Sequence, residues 1–131
     1  MHSIKTTKSF KTVYNNGQHF ANHLFVMYSL ANNGHESRLG ISISKKVGNA
    51  VVRNRLRRQV KEVMRLCAHS VAVGFDIVIV VRVAAGALAQ EGAYQKVDKA
   101  LTYLLRKLGL FAKANVVENA IDNIKENIGA S

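Results

Sequence analysis

The chain has 131 residues, of which 48% are hydrophobic, so it suits one folded domain with a modest core rather than a disordered protein. Its 19 lysines and arginines against 8 acids give a net charge of +11, which favours a polyanionic partner such as nucleic acid. The single cysteine excludes an intramolecular disulfide. The sequence also shows no secretory signal and no apolar run of membrane-spanning length, so we expect a cytoplasmic protein without membrane contact.

The first predicted element is a short helix near the N-terminus. Residues 7–16, TKSFKTVYNN, place Phe10, Val13 and Tyr14 at positions i, i+3 and i+4, which lie on one helical face. Gly17 follows directly and is the expected C-cap. The predicted helix therefore presents two aromatic rings and a valine on the same side.

Two strands are predicted next. Residues 24–30, LFVMYSL, are β-branched, aromatic and apolar, which is typical of a strand. Turn-forming residues at 31–37, ANNGHES, predict that the following strand returns antiparallel. Residues 38–44, RLGISIS, alternate strictly between large apolar and small side chains. The core set is Leu39, Ile41 and Ile43, and the shallow floor on the other face is Gly40, Ser42 and Ser44.

The second half of the chain mixes helical and strand patterns. Residues 50–68 have helical spacing, and residues 75–83, FDIVIVVRV, form an apolar run typical of a strand covered on both faces. Residues 93–108 predict a leucine-rich amphipathic helix, and residues 114–131 carry a weaker apolar stripe. We therefore predict an α+β fold in the order α-β-β-β-α-β-α, as a single domain over residues 1–113 with a C-terminal tail.

The helix over residues 50–68 divides into two surfaces on a helical wheel. The apolar sector, predicted to pack on the sheet, contains Val52, Leu56, Val60, Val63, Met64, Leu66 and Cys67. The outward sector contains Asn54, Arg55, Arg57, Arg58, Lys61 and Arg65, with Arg53 at the border. Glu62 is the only acid on this helix, so the cations lack the partners that usually balance a solvated helical face. This pattern favours an external polyanion over a merely solvated surface.

The segment before this helix adds to the basic surface. Lys45 and Lys46 precede Gly48, which allows close approach of the backbone, and Asn49 is the predicted N-cap. The positive end of the helix would then lie beside two lysines, an arrangement that suits a phosphate group.

Three aromatic residues form a second candidate site. Phe10 and Tyr14 share a face of the first helix, and Tyr28 lies in the strand that follows. They either belong to the core or line a groove over the shallow floor, with Lys11 nearby. Unpaired bases stack on such rings with roughly 1 to 3 kcal/mol per base. The residues alone leave both interpretations open.

Chemistry performed by the protein itself is not expected. The five histidines have no metal-ligand spacing and are assigned to loops or the surface. Asp76, at the start of a strand, is assigned a turn or cap role, and Cys67 a small core role. No Gly-rich nucleotide-binding loop is present.

The basic segment SKKVGNAVVRNRLRR resembles the signature of the bacterial ribonuclease P protein subunit, whose hallmark is the Arg-Asn-Arg triplet found here at residues 53–55. The resemblance extends to SFKTVYNNG at 9–17, ANHLFVMY at 21–28 and DIVIVVR at 76–82, in the family's order and spacing. Together these segments cover about residues 5–110.

The resemblance implies a two-layer α/β sandwich with a four-stranded mixed sheet and a left-handed β-α-β crossover that carries the basic helix. It implies a subunit that assists a catalytic RNA, which holds Mg²⁺ and removes the 5′ leader of precursor tRNA. No cofactor is expected on the protein alone, and one protein is assumed per RNA. The implied RNA-subunit contacts are Lys45, Lys46, Asn49, Arg53, Asn54, Arg55, Arg57, Arg58, Lys61 and Arg65. The implied leader contacts are Phe10, Lys11, Tyr14, Tyr28, Ser42 and Ser44.

Two other function classes fit part of the pattern. A structural RNA-binding module, such as a ribosomal protein, would share the charge and the basic helix but would not need an open aromatic groove. A DNA-binding protein could place the basic helix in the major groove, although no second helix lies a short turn away as in a helix-turn-helix.

Overall fold

The computed structural model describes residues 1–34, 36–88 and 93–111. In chain order these residues form β1 (His2–Ser3), α1 (Thr7–Asn16), β2 (Gln18–Ala21), β3 (Phe25–Ala31), β4 (Arg38–Ile43), α2 (Ala50–Cys67), β5 (Phe75–Val81) and α3 (Tyr94–Lys107). Short 3-10 turns follow β4, α2 and β5. The α+β class with a mixed sheet and helices is confirmed.

The sheet has five strands in the order β1-β4-β5-β3-β2, rather than the four expected. The additional strand is β1, in which His2 and Ser3 pair in parallel with Arg38 and Leu39. Two residues are too few to show an alternating pattern, so sequence periodicity could not have revealed this strand. It occupies only the first part of the outer edge of β4.

The strand that follows the ANNGHES turn runs opposite to β3, as predicted, but it does not pair with β3. Strand β5 lies between them, antiparallel to β3 and parallel to β4. The parallel pair β4–β5 is joined through α2, because parallel neighbours need a crossover connection that a tight turn cannot supply.

Helices cover both faces of the sheet, so the predicted two-layer arrangement is too simple. Side chains such as Phe25, Met27, Ile77 and Ile79 pack with the buried residues of α2 and α3 in the main core. The alternate residues of the same strands point the other way, and Val78 packs there with Val13 of α1. Strands with apolar residues on both faces need this second cover, and α1 supplies it over part of the sheet.

Helix α2 begins where the sequence predicts, because the Asn49 side-chain oxygen accepts a hydrogen bond from the Val52 N–H at 3.0 Å. The residues of α2 that are fully buried against the sheet and α3 are Leu56, Val60, Val63 and Met64. Leu66 was predicted to join them but is 50% exposed. It lies three residues after Val63, about 60° further round the helix and beyond the buried sector.

An ion pair between the buried Asp76 carboxylate and the half-buried Arg38 joins β5 to β4. The turn or cap role predicted for Asp76 is therefore wrong. The Asp76 carboxylate accepts two hydrogen bonds from the Arg38 guanidinium, at 2.8 and 2.5 Å, and one from the Asn32 amide at 2.9 Å. Arg38 and Asp76 are register partners in the parallel pair. The hydrogen bond from Arg38 lowers the pKa of Asp76 below its ordinary value.

Helix α3 covers the main core with Val97, Leu101, Leu104 and Leu105, as its leucine pattern predicts. It ends before Gly109, whose φ of +68° is the left-handed conformation that glycine adopts readily at helix ends. The tail predicted over residues 114–131 lies outside the described residues. The predicted domain boundary at residue 113 therefore remains a prediction.

Candidate nucleic-acid interface

The basic surface of α2 and the turn before it consists of Lys45, Lys46, Arg53, Arg55, Arg57, Arg58, Lys61 and Arg65. All of them are exposed except Arg53 and Arg57, which are half-buried. Helix α2 places Arg55, Arg58, Lys61 and Arg65 away from its buried residues, since Leu56 and Val60 anchor it to the sheet. The wheel-based division into an anchoring and an outward surface is thus confirmed in its main outline.

Arg53 and Arg57 are partly committed to the fold. The Arg53 guanidinium donates to the Gly48 carbonyl at 3.2 Å, which resolves its border position as a contact with the start of its own helix. The Arg57 guanidinium donates to the Ile41 carbonyl of β4 at 3.4 Å. Arg57 was predicted to look outward, but it lies only about 20° beyond the buried Met64 on the helical wheel, so its stem runs along the sheet edge.

Arg65 has a carboxylate partner on its own helix. Its guanidinium donates to both oxygens of Glu62, at 3.1 and 2.7 Å, three residues earlier in α2. The hydrogen bond from Arg65 lowers the pKa of Glu62. Arg65 therefore contributes less net positive charge to the surface than its neighbours.

Four exposed cations of the basic surface have no carboxylate within ion-pair distance among the residues described: Lys45, Lys46, Arg58 and Lys61. Asn54 is exposed beside them, whereas the side-chain oxygen of Asn49 is occupied in capping the helix. Unbalanced cations on a rigid helix suit a polyanion, because binding releases counterions without breaking an existing ion pair.

The three predicted aromatic residues come together on the face of the sheet that α1 partly covers. The Phe10 and Tyr14 ring centroids are 6.3 Å apart, and the Tyr14 and Tyr28 rings meet edge to face at 4.9 Å. All three side chains are half-buried, so they are neither fully in the core nor fully free. Each ring packs with its neighbours on one side and keeps part of its surface open to a ligand.

A row of small side chains lies beside these rings. Register pairs place Ser42, Val80, Val26 and Ala21 side by side across β4, β5, β3 and β2. Side chains two positions apart in a strand point to the same face of the sheet. Each residue of this row lies two positions along its strand from Tyr28 or from a residue in register with Tyr28, so the row shares the face of Tyr28. Of the floor predicted from the small residues of β4, only Ser42 belongs to this row, which we call the floor row.

Gly40 and Ser44 differ from the predicted floor. Gly40 is buried, and a Cβ atom there would lie 2.7 Å from the tip of the Phe10 ring, so this position seats the ring. Ser44 follows the end of β4 and is exposed at the start of the turn that carries Lys45 and Lys46. Lys11 is exposed on α1, next to Phe10.

The aromatic side and the basic surface meet at the outer edge of β4. One cavity of about 390 Å³ is lined both by Phe10 and Gly40 and by Arg57, Lys61 and Arg65 of α2. The N-terminal segment also lines this cavity, through Met1, Ser3 and Ile4. The cavity therefore brings the aromatic side and the basic surface together at this edge.

Sequence reasoning missed His19 as a member of the aromatic side. Its ring lies 5.1 Å from the Tyr28 ring, tilted by 32°, because His19 and Tyr28 are register partners in β2 and β3. The sequence predicts a loop or surface position for His19, and the residue is indeed exposed. The prediction did not include the stacking on Tyr28. Only the strand pairing could have revealed it.

Metal-ligand clusters, the cysteine and membrane-spanning helices concern the rest of the predicted chemistry. No group of three or more His, Cys, Asp or Glu side chains there could hold a metal ion. Cys67 is half-buried against the main core, as predicted, and burial raises the pKa of its thiol. None of the helices described is long and apolar enough to cross a membrane.

Comparison with known proteins identifies relatives over most of the chain. The family model described as Ribonuclease P matches residues 1–109. The ribonuclease P protein component of Clostridioides difficile (strain 630) is 39% identical over 105 residues, which cover 79% of this chain and 89% of that protein. The component from Thermoanaerobacter sp. (strain X514) is 40% identical over 109 residues, covering 83% and 90%.

Solved structures agree with the sequence relatives. The RNase P protein of Staphylococcus aureus has a TM-score of 0.77 at 30% identity, over 86% of this chain and 99% of that chain. The RNase P protein of Thermotoga maritima has a TM-score of 0.74 at 29% identity, over 82% and 97%. The matched span contains both the aromatic side and the basic surface. The chain therefore belongs to the ribonuclease P protein family and is a subunit of the RNA-based enzyme that processes the 5′ end of tRNA.

Proposed function

We propose that this chain binds the ribonuclease P RNA through the basic surface and holds the 5′ leader of precursor tRNA across the aromatic side. The observation that carries this proposal is the shared cavity at the outer edge of β4, which joins the two regions. A structured RNA bound on α2 would deliver a single strand directly to the rings. The proposed function uses both regions, the basic surface for the RNA subunit and the aromatic side for the leader.

The proposed contacts with the RNA subunit come from α2 and the turn before it. They are Lys45, Lys46, Asn49, Arg53, Asn54, Arg55, Arg57, Arg58, Lys61 and Arg65. The exposed lysines and Arg58 would contribute most, because they have no carboxylate to exchange within the described residues. Arg53 and Arg57, whose guanidinium groups already donate to backbone carbonyls, would present their remaining N–H groups to phosphates.

The proposed leader contacts are Phe10, Lys11, Tyr14, Tyr28, Ser42 and Ser44. The rings would stack on unpaired bases, and the floor row would leave room for the sugar-phosphate backbone. Lys11, next to Phe10, supplies a cation for that backbone. Ser44, beside Lys45, would act where the leader enters the floor row from the basic surface.

The catalytic chemistry is proposed to reside in the RNA. We assign no catalytic residue and no metal ligand to the protein, and we propose that the Mg²⁺ ions are held by the RNA subunit. We further propose one protein per RNA, a cytoplasmic location and a left-handed β4–α2–β5 crossover. A left-handed crossover would be exceptional, since strand twist favours the right-handed form.

Substitution of Phe10 or Tyr28 by alanine tests the leader contacts. We expect each variant to weaken binding of precursor tRNA by roughly 1 to 3 kcal/mol, because one stacking surface is lost, while binding of mature tRNA changes little. The measurement is the affinity of the reconstituted holoenzyme for matched substrates with and without a leader. Phe20 is a suitable control because it is 45% exposed in β2 but pairs with Met27, on the face of α3.

The competing interpretation is that the rings are core residues. In that case Phe10→Ala and Tyr28→Ala would lower the thermal unfolding temperature. They would also weaken the binding of substrates with and without a leader equally. A Phe20→Ala variant that lost leader binding as strongly as these two would also contradict the assignment.

Substitution of Gly40 by alanine probes the seat of the Phe10 ring. The added Cβ would lie 2.7 and 2.8 Å from two ring carbons, so the ring must tilt away from β4. We expect leader affinity to fall while the free energy of unfolding falls by only about 1 kcal/mol, the low end of the usual overpacking cost, because the moving atoms are the tip of a side chain. Nuclear Overhauser contacts between residue 40 and the Phe10 ring report the displacement directly. Unchanged ring contacts together with unchanged leader affinity would contradict this prediction.

The RNA that copurifies with the protein separates this function from that of a purely structural RNA-binding protein. We expect the RNA subunit of ribonuclease P to be the enriched species. Recovery of ribosomal RNA alone would contradict the proposed role.

A further inference from the structure

His19 extends the line of aromatic rings to the far side of the sheet. Its ring stacks on Tyr28 at 5.1 Å, Tyr28 meets Tyr14 at 4.9 Å, and Tyr14 lies 6.3 Å from Phe10. The four rings therefore form one connected row from the seat at Gly40 in β4 to β2. With strands about 4.8 Å apart, this row spans roughly 14 Å across the sheet.

His19 is exposed, unlike the other three rings. An exposed ring held against a tyrosine at this distance has one open face, and its backbone position is fixed by the β2–β3 pairing. It contacts only the rim of the core on that face, through Tyr28, whereas Ile4, Val13 and Val78 form the buried part. The open face of the ring is thus available to a ligand.

We propose that His19 is a leader-binding residue that extends the cleft by one stacking position at the β2 side. This inference rests on the proposed leader function of the rings. It adds that the cleft continues past Tyr28, at the side of the sheet away from Lys45 and Lys46. His19 then makes contact only when the leader is long enough to cross the sheet, whereas Phe10 and Tyr28 act on any leader that reaches the floor row.

The test uses the reconstituted holoenzyme and precursor tRNAs whose leaders range from none to about 16 nucleotides, the upper range of single-strand site sizes. We expect His19→Ala to weaken binding about five-fold or more with long leaders and not at all with the shortest ones. His19→Phe keeps a ring and should retain long-leader affinity. His23→Ala is the matched control, since His23 is exposed just after β2 and lines a different groove, with Leu24 and Tyr103.

The outcomes separate the two levels of the proposal. If wild-type affinity rises with leader length but His19→Ala behaves as wild type at every length, the role of His19 is overturned and the leader cleft stands. If His19→Ala and His23→Ala weaken binding equally, the effect is one of general charge and the role of His19 is again overturned. If leader length has no effect on wild-type affinity, the proposed leader function itself fails.

Discussion

We expect a variant in which glutamine replaces Lys45, Lys46, Arg58 and Lys61 to bind the RNA subunit more weakly than wild type at 0.1 M salt. The ratio of wild-type to variant affinity should be about a thousand times larger at 0.1 M salt than at 1 M salt. Each lost phosphate contact removes roughly 0.7 to 0.9 from the slope of log affinity against log salt, so the slope should fall by about 3. These four cations are exposed and have no carboxylate partner among the described residues, so their loss should leave the fold intact. Filter binding over a series of salt concentrations measures the slope.

Helix α3 offers a matched control for this experiment. Its cations Lys96, Lys99, Arg106 and Lys107 are also exposed, and replacing them by glutamine removes the same total charge. They belong to a different helix, where Lys107 lies over the Tyr103 ring at 5.7 Å. A general effect of net charge would lower the slope equally in both variants, and that result would contradict the assignment of the basic surface. We expect the α3 variant to stay close to wild type.

The second large effect is expected from Asp76→Asn, which removes the charge that holds Arg38 and Asn32. The Asp76 side chain is only 7% exposed, whereas that of Arg38 is 40% exposed. Removing one member of a fully buried pair costs 3–5 kcal/mol, and partial solvation of Arg38 reduces this cost. We expect the free energy of unfolding at neutral pH to fall by about 2 kcal/mol, as measured by urea denaturation.

The loss should depend on pH in a defined direction. Because Arg38 lowers the folded-state pKa of Asp76 below that of the unfolded chain, the pair stabilises the fold fully above about pH 4. This stabilisation is lost as the pH falls through the folded-state pKa. The free energies of unfolding of wild type and of Asp76→Asn should therefore converge in acid.

Asp98→Asn serves as the control for this pH series. Asp98 lies on α3 and forms no ion pair with a described residue, so its replacement should cost far less at neutral pH. A constant difference between Asp76→Asn and wild type at every pH would show that shape rather than charge explains the loss.

Local patterns in the sequence predict much of this molecule. The alternation in β4 separates Leu39 from Gly40, and the wheel of α2 separates Leu56 from Arg58, because both depend only on the period of the element. The grouping of Phe10, Tyr14 and Tyr28 is also confirmed. The net charge alone predicts only a polyanionic partner. The resemblance to the ribonuclease P protein family identifies that partner as an RNA.

The features that could not be predicted depend on pairing between distant segments. Asp76 meets Arg38, 38 residues earlier, only because β5 aligns with β4 in one register. His19 reaches Tyr28 through the register of β2 and β3. Strand β1 exists only because it pairs with β4, and its two residues carry no pattern of their own.

The position of β5 in the middle of the sheet has a consequence for the order in which the molecule can assemble. Before residue 75 leaves the ribosome, the chain can form only the separate pairs β2–β3 and β1–β4, and isolated two-stranded pieces are marginally stable. Helix α2 has by then been synthesised, but the sheet that anchors it is incomplete. At about 5 to 20 residues per second, the central strand follows within seconds, so we expect the complete sheet that anchors α2 to form only late in synthesis.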